Sequence, residues 1–174
     1  MEKMESAVTT AKDPPAGTSR AGKYLSFHLS REEYAIHVLK VREIMGIQHI
    51  TAVPHTPVDV KGVINLRGKV IPVIDLRLKF GLEEKEYSQR TCIIVVQPQG
   101  EIATQMGIIV DEVSEVLNLV ETDIEDTPDF GHGVQMPYLL GMAKIKGKVK
   151  ILLDIDEILR AQDLGGLGAI LEKN

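Results

Sequence analysis

The sequence predicts an all-β protein with short helices, composed of two lobes that repeat one small β unit. Two observations lead to this fold class: short β-branched runs separated by turn residues, and a block of sequence that occurs twice. In the first run Leu25, Phe27 and Leu29 share one face, which predicts a half-buried strand over 24–30. Further runs lie at 34–38, 63–66, 70–74, 92–96, 106–110, 142–145 and 149–153. Short strands with tight turns indicate barrels or a sandwich rather than a parallel α/β sheet.

The repeat consists of two pairs of aligned blocks. Residues 62–76 align without gaps with residues 141–155, at an offset of 79 positions. Five of these fifteen pairs are identical, where average composition gives about one. The identical pairs are Gly62/Gly141, Gly68/Gly147, Lys69/Lys148, Val70/Val149 and Asp75/Asp154. Residues 34–45 align with 106–117 at an offset of 72, so the second copy carries about seven additional residues, which we place in 126–138.

Each copy is predicted to contain a strand, a short helical turn, a loop and a hairpin. The apolar residues on either side of the pair Arg42-Glu43 predict a helical turn within 41–47. The hairpin tips are predicted at Arg67-Gly68 and at the corresponding Lys146-Gly147, because glycine supplies the positive φ that such turns need.

Two aspartates follow the predicted hairpins and indicate helix starts. Asp75 is expected to cap a short helix over 76–80 that ends at Gly81. Asp154 and Glu157 have the spacing of a capping box, which predicts a C-terminal helix after Asp154.

The chain divides into three predicted segments. Residues 1–22 are polar and broken by proline and glycine, so we expect a disordered N-terminal tail. Residues 23–160 form the folded domain, with lobe 1 at about 30–88, lobe 2 at about 89–150, and exchange of strands between the lobes left open. Residues 161–174 contain the end of the C-terminal helix and a Gly-rich flexible tail.

Composition excludes several classes of partner and cofactor. The net charge of −5 and the absence of tryptophan argue against a nucleic-acid groove and against an anionic membrane surface. No apolar stretch has the roughly 20 residues that a membrane helix needs, so we expect no membrane insertion. The single cysteine, Cys92, lies in an apolar run and fits a buried strand in a reducing cytoplasm. The five histidines lack metal-ligand spacing, so neither a metal nor another cofactor is predicted.

Two alternatives to a protein-binding module remain open from the residues. Asp75 or Asp111 could serve a small hydrolase if exposed in a cleft, although helix capping explains Asp75, Asp111 and Asp154 without catalysis. Arg67-Gly68-Lys69-Val70 is similar to a turn of SH3-like ribosomal proteins, which points to an SH3-like RNA-binding module. Alone, the residues indicate a duplicated β module that binds other proteins.

Residues 62–77 resemble the bacterial chemotaxis coupling proteins, the CheW family. The resemblance is carried by Asn-Leu-Arg-Gly and Pro-Val-Ile-Asp-Leu-Arg, and it extends through 34–36, 41–44, 107–117 and 138–141, about residues 22–160 in all. It implies two five-stranded SH3-like barrels. It also implies a non-enzymatic adaptor that bridges the cytoplasmic tips of methyl-accepting chemoreceptors to the histidine kinase CheA. No kinase or phospho-acceptor domain fits the chain, so we expect a stand-alone cytoplasmic coupler recruited to receptor arrays at the inner membrane.

The same resemblance implies roles for individual residues. Val41 and Gly62 fall at positions that bind the kinase in the family. Six residues fall at positions of receptor coupling: Glu43, Arg67, Gly107, Val113, Val116 and Gly141. For the glycines, a role limited to shaping the backbone stays open.

Overall fold

The computed structural model describes residues 20–98, 105–127 and 138–167. Within these ranges the chain forms eleven strands, two short α-helices and two 3-10 turns. The strands are β1 (Gly22–Leu29), β2 (Glu32–His37), β3 (Val41–Gly46), β4 (Val60–Leu66), β5 (Lys69–Asp75), β6 (Cys92–Val96), β7 (Met106–Val110), β8 (Glu112–Leu119), β9 (Ile124–Glu125), β10 (Leu139–Ile145) and β11 (Lys148–Leu153). The helices are α1 (Leu76–Lys79) and α2 (Ile155–Arg160), and the 3-10 turns are Val38–Lys40 and Glu121–Asp123.

The strands form two sheets, one in each SH3-like lobe. The five-stranded sheet of lobe 1 has the order β3-β6-β7-β5-β4, and the sheet of lobe 2 has the order β8-β1-β2-β11-β10-β9. Neighbours are antiparallel except β5 with β7 and β11 with β2, which are parallel. The predicted all-β, two-lobed fold is confirmed, and lobe 2 has one more strand than expected because the two-residue β9 pairs with β10.

The lobes exchange strands, so a division near residue 88 does not separate the sheets. Lobe 1 is completed by β6 and β7, which follow residue 88. Lobe 2 takes β1 and β2 from the N-terminal part of the chain and pairs them with β8 and β11. The sequence prediction left such an exchange open, because a local repeat does not reveal which copies of its strands pair.

The repeat predicted from the sequence recurs in backbone geometry. Pairing of β4 with β5 shifts register just before Gly62, and pairing of β10 with β11 shifts register just before Gly141. These glycines have φ of 141° and 154°. Arg67 and Lys146, at the two hairpin tips, have the same φ of 53°. The hairpins are therefore equivalent, as the offset of 79 predicted.

One apolar core is shared by both lobes. It contains Leu25, Phe27 and Leu29 of β1 together with buried residues of β5, β6, β7 and α2. The opposite face of β1 is also covered, since Tyr24 belongs to a second core and Ser26 is buried, its hydroxyl donating to the carbonyl of Glu115 at 3.0 Å. The expectation of a half-buried first strand was wrong because β1 is an interior strand with apolar cores on both faces.

The predicted helical turn within 41–47 is also wrong, since residues 41–46 form strand β3. The turn lies just before it, at Val38–Lys40. β3 pairs antiparallel with β6, and Ile44 lies opposite Ile94. Over so short a run, the apolar residues of β3 fit both the helical and the strand periodicity. The long-range pairing with β6 makes the segment a strand.

Both predicted helix caps are confirmed. Asp75 accepts a hydrogen bond from the backbone N–H of Arg77 at 3.0 Å at the start of α1. Asp154 accepts from the backbone N–H of Glu157 at 3.2 Å at the start of α2. Because each cap joins residues no more than three positions apart, it can be predicted without knowledge of the tertiary fold.

The segment after α2 is held against lobe 1, at least as far as Leu167. Leu167 is fully buried in the shared core. The backbone N–H of Gly166 donates to the carbonyl of His55 at 3.0 Å, and Gln162 Nε2 donates to Asp59 at 3.3 Å. The prediction of a flexible tail from residue 161 is therefore wrong up to Leu167, and residues 168–174 lie outside the described residues.

The N-terminal boundary is also earlier than predicted. β1 begins at Gly22, which pairs with Leu119. Arg20 donates to Glu121 at 3.1 Å, to Asp126 at 2.8 Å and to the carbonyl of Leu140 at 3.2 Å. Residues 20–22 thus belong to the fold, whereas residues 1–19 lie outside the described residues.

Two truncations test this boundary. A chain that starts at residue 20 is expected to keep the melting temperature of the full chain, because residues 1–19 are too polar to contribute a core. A chain that starts at residue 23 should melt several degrees lower, because it loses the contacts of Arg20 and the pairing of Gly22. Differential scanning calorimetry distinguishes the two, and equal melting temperatures would contradict the revised boundary.

Candidate partner-binding site

Two of the predicted receptor-coupling residues form an ion pair at the edge of lobe 1. Glu43 lies on β3, the edge strand of the sheet, and Arg67 lies at the β4–β5 tip. Arg67 Nη2 donates to Glu43 Oε1, and Nη1 lies 3.4 Å from Oε2, so the guanidinium faces both carboxylate oxygens. The Arg67 side chain is 70% exposed and that of Glu43 is 31% exposed. The pair therefore presents a planar guanidinium at the surface, and the N–H donors of Arg67 that do not face Glu43 remain available to a partner.

Lobe 2 carries the equivalent positions without the equivalent pair. Glu115 corresponds to Glu43 and Lys146 to Arg67. Glu115 lies 3.5 Å from the buried Lys150, which also pairs with Glu33. Lys146 forms no ion pair within the parts of the chain that the structure describes. The Glu43–Arg67 contact was not predicted, although the arginine at one tip and the lysine at the other indicated that the tips differ.

The predicted valines divide into buried and exposed positions. Val41 on β3 and Val113 on β8 occupy equivalent places in the two lobes, and both pack against the shared core. Val116 on β8 is 58% exposed, and its equivalent on β3, Ile44, is 45% exposed. Both strands lie at sheet edges. Of the three valines, Val116 therefore presents the most surface to a partner.

The three predicted glycines are buried and have no surface for a partner to touch. A Cβ at Gly62 would lie 2.0 Å from the carbonyl oxygen of Thr51, and one at Gly141 would lie 2.7 Å from that of Glu125. A Cβ at Gly107 would lie 2.8 Å from Cγ2 of Ile93. Each glycine permits a close approach of chain segments, so its role acts through the backbone.

The carboxylates considered for catalysis belong to a buried ion-pair network. Asp75 and Arg77 are fully buried, with Arg77 Nε 2.9 Å from Asp75 Oδ1 and Nη2 2.8 Å from Oδ2. Arg77 Nη1 also donates to Asp111 at 2.9 Å. Hydrogen bonds that Arg77 donates to Asp75 raise the pKa of the Arg77 guanidinium above its ordinary value. The hydrolase alternative requires exposed carboxylates, and these contacts contradict it for Asp75.

Asp111 has a different role from the helix cap that was expected. Its Oδ2 accepts from the backbone N–H of Ser30 at 2.6 Å, in the turn between β1 and β2. With its other oxygen on Arg77, it joins the β1–β2 turn of lobe 2 to α1 of lobe 1. The prediction of capping was therefore wrong for Asp111, because the residue after β7 meets a turn from the other lobe.

The described residues contain neither a cluster of metal ligands nor a helix that could span a membrane. In residues 20–98, 105–127 and 138–167, no three histidine, cysteine or carboxylate side chains are placed to hold a metal ion. The same ranges contain no helix with the length and apolar character needed to span a membrane.

Comparison with known proteins assigns this architecture to a family. The family model of the CheW-like domain matches residues 23–163. Chemotaxis protein CheW of Klebsiella aerogenes is 38% identical over 149 residues, which cover 86% of this chain and 88% of that protein. CheW of Bacillus subtilis is 38% identical over 133 residues, covering 76% and 81%. The crystal structure of the scaffolding protein TtCheW from Thermoanaerobacter tengcongensis has a TM-score of 0.69 at 35% identity, covering 77% of this chain and 89% of that one. The chain belongs to the CheW family and is a chemotaxis scaffold.

Proposed function

We propose that the chain is a non-enzymatic adaptor that couples chemoreceptor tips to the histidine kinase CheA on the cytoplasmic side of the inner membrane. Family membership and the scaffolding relative support the adaptor class. The observation that carries the proposal is the exposed Glu43–Arg67 pair on an edge strand, next to the exposed Ile44. Family membership also favours an adaptor over the RNA-binding alternative. The proposal requires no cofactor, metal, nucleic acid or membrane insertion.

Receptor coupling is assigned to the exposed residues of the edge strands. Arg67 has five N–H donors, and Glu43 accepts from the guanidinium only on one side, so a partner carboxylate can bind the remaining donors. Val116 offers apolar contact area on lobe 2. The buried Gly107 and Gly141 and the half-buried Val113 support these surfaces from within.

Kinase binding is assigned to the surface that Val41 and Gly62 shape. Val41 begins β3, and Gly62 allows residue 51 to pair with β4 through two hydrogen bonds of 2.9 Å between Thr51 and Val63. The backbone of residues 51–53 next to this bridge is then the surface that a kinase domain meets. Gly62 acts there by permitting the conformation.

Substitutions at the two hairpin tips test the receptor assignment. Arg67→Ala is expected to weaken assembly of the receptor–adaptor–kinase complex at least 30-fold, which corresponds to about 2 kcal/mol, because a charge-assisted contact is lost. Lys146→Ala, at the equivalent tip, should leave assembly nearly unchanged. Both variants should keep the stability of the parent within about 0.5 kcal/mol, since both residues are exposed. Sedimentation of receptor-containing vesicles with CheA measures assembly.

A charge exchange separates a partner contact from a purely internal one. Glu43→Lys is expected to weaken receptor coupling, and the double variant Glu43→Arg, Arg67→Glu should restore the internal pair without restoring coupling. If the double variant couples like the parent, Arg67 serves only to hold Glu43. Equal effects of Arg67→Ala and Lys146→Ala would remove the support for a receptor contact at Arg67.

A further inference from the structure

A cavity of about 410 Å³ opens at one end of lobe 2, and none of the residues assigned to partner binding above lines it. It lies between the start of β1, the 3-10 turn Val38–Lys40 and the first residues of α2. Leu39, Leu140 and Leu153 supply apolar walls, and Leu39 is 79% exposed at the rim. Asp154 and Asp156 supply carboxylates.

The repeat shows what occupies the corresponding place in lobe 1. Asp75 corresponds to Asp154, and there the guanidinium of Arg77 lies against the carboxylate with contacts of 2.9 Å and 2.8 Å. Residues 82–90 then cover the guanidinium. Arg77 Nη1 donates to the carbonyl of Lys85 at 3.2 Å, and the ring of Tyr87 lies 5.6 Å from Arg77 Cζ. In lobe 1 the carboxylate therefore has a cation, and a chain segment closes over it.

In the described residues of lobe 2, the corresponding carboxylate has neither an ion-pairing cation nor a covering segment. Asp156 stands where lobe 1 has Arg77, and it pairs with Lys40 at 2.7 Å. After α2 the chain turns to lobe 1, where the N–H of Gly166 donates to the carbonyl of His55, so residues 161–167 do not cover the cavity. In the described residues, Asp154 has hydrogen bonds from backbone N–H groups and no salt bridge. Burial is the main cause that raises the pKa of the Asp154 carboxyl above its ordinary value.

None of the other charged residues in the lining forms an ion pair with Asp154 within the described residues, and Lys23, one of the two lysines of the lining, is exposed. Lys40 is engaged by Asp156, and burial lowers the pKa of His37, whose Nε2 lies 3.0 Å from the hydroxyl of Tyr24. A half-buried carboxylate without a side-chain cation is complementary to a positively charged group that arrives with its own apolar stem.

We propose that this cavity is a docking site for an extended segment of a partner protein that places an arginine beside Asp154. The guanidinium takes the position that Arg77 holds against Asp75 in lobe 1, and its aliphatic stem lies along Leu39 and Leu140. The leucine at position 39 corresponds to Asp111, the second acceptor of Arg77, so lobe 2 has an apolar wall where lobe 1 has a second acceptor. The segment takes the place of residues 82–90. Its lining residues differ from those assigned to receptor and kinase contact.

A peptide titration of the full chain tests the site without kinase or receptor. The probe is the pentapeptide acetyl-Ala-Leu-Arg-Leu-Ala-amide, and its neutral counterpart has citrulline in place of arginine. Added to the ¹⁵N-labelled chain, the arginine peptide is expected to shift the amide signals of residues 38–40 and 154–156 in a saturable manner. The citrulline peptide should bind at least ten-fold more weakly, because it has the same shape without the charge.

Two variants locate the charge that is recognised. Asp154→Asn keeps the helix cap, since asparagine caps as well as aspartate, and it should reduce peptide affinity at least ten-fold. Glu157→Gln removes a carboxylate from the same helix outside the cavity and should leave affinity unchanged. Equal binding of the citrulline peptide, equal losses in both variants, or no shifts at millimolar peptide would each overturn the proposal.

Discussion

Gly62→Ala is expected to lower the free energy of unfolding by more than about 3 kcal/mol and to abolish kinase binding as a consequence. The residue has φ of 141°, a region that side chains other than glycine occupy only with strain of about 1–3 kcal/mol. The added Cβ would also lie 2.0 Å from the carbonyl oxygen of Thr51 and 2.7 Å from its carbonyl carbon, both backbone atoms. Relief requires breaking the Thr51–Val63 bridge. Urea denaturation at equilibrium measures the loss.

Gly68→Ala is the matched control for this substitution. Gly68 also has positive φ, 85°, but a Cβ there would meet no atom within 4 Å. Its cost should be limited to backbone strain of about 1–2 kcal/mol. If Gly62→Ala proves as stable as the parent and still fails to bind CheA, Gly62 is a contact residue and the backbone explanation is wrong.

Arg77→Met is expected to destabilise the protein by about 3–5 kcal/mol, the cost of leaving a buried charge unpaired. Asp75 is fully buried and would lose the contacts of 2.9 Å and 2.8 Å to the guanidinium. Asp111 would lose its contact of 2.9 Å, and with it the link from α1 to the β1–β2 turn. Denaturation curves at pH 7 measure the change.

The double variant Asp75→Asn, Arg77→Met shows whether the cost arises from the uncompensated charge. Asparagine still caps α1 but carries no charge, so the double variant should recover more than half of the loss. A loss below about 1 kcal/mol for Arg77→Met alone would show that water or a rearranged side chain replaces the guanidinium.

The elements predicted correctly are those whose signals are local. Asp75 and Asp154 cap helices within three residues, and the two hairpin tips need positive φ at adjacent positions. The repeat supports these predictions, because the same turn and cap residues occur at aligned positions of both copies. Gly62 and Gly141, which the offset of 79 aligns, have similar φ values of 141° and 154°.

What the sequence did not reveal depends on pairing between distant segments. β3 has the side-chain pattern of either a strand or a turn, and only its pairing with β6 makes it a strand. The Glu43–Arg67 contact joins residues 24 positions apart through the relative placement of an edge strand and a hairpin. Leu167 is buried because lobe 1 offers a surface to the end of the chain, and composition alone made that segment resemble a tail.

The exchange of strands has a consequence for synthesis of the chain on the ribosome. All strands of lobe 1 have been made once Val110 is added, whereas β2 waits for β11, which ends at Leu153. At about 5–20 residues per second, the edge of β2 stays unpaired for several seconds. Glu33 lies on that edge, and a carboxylate there disfavours pairing with the wrong strand. When β11 pairs with β2, Lys150 lies opposite Glu33 and forms an ion pair with it. The same carboxylate therefore disfavours incorrect pairing of the β2 edge and favours correct pairing with β11.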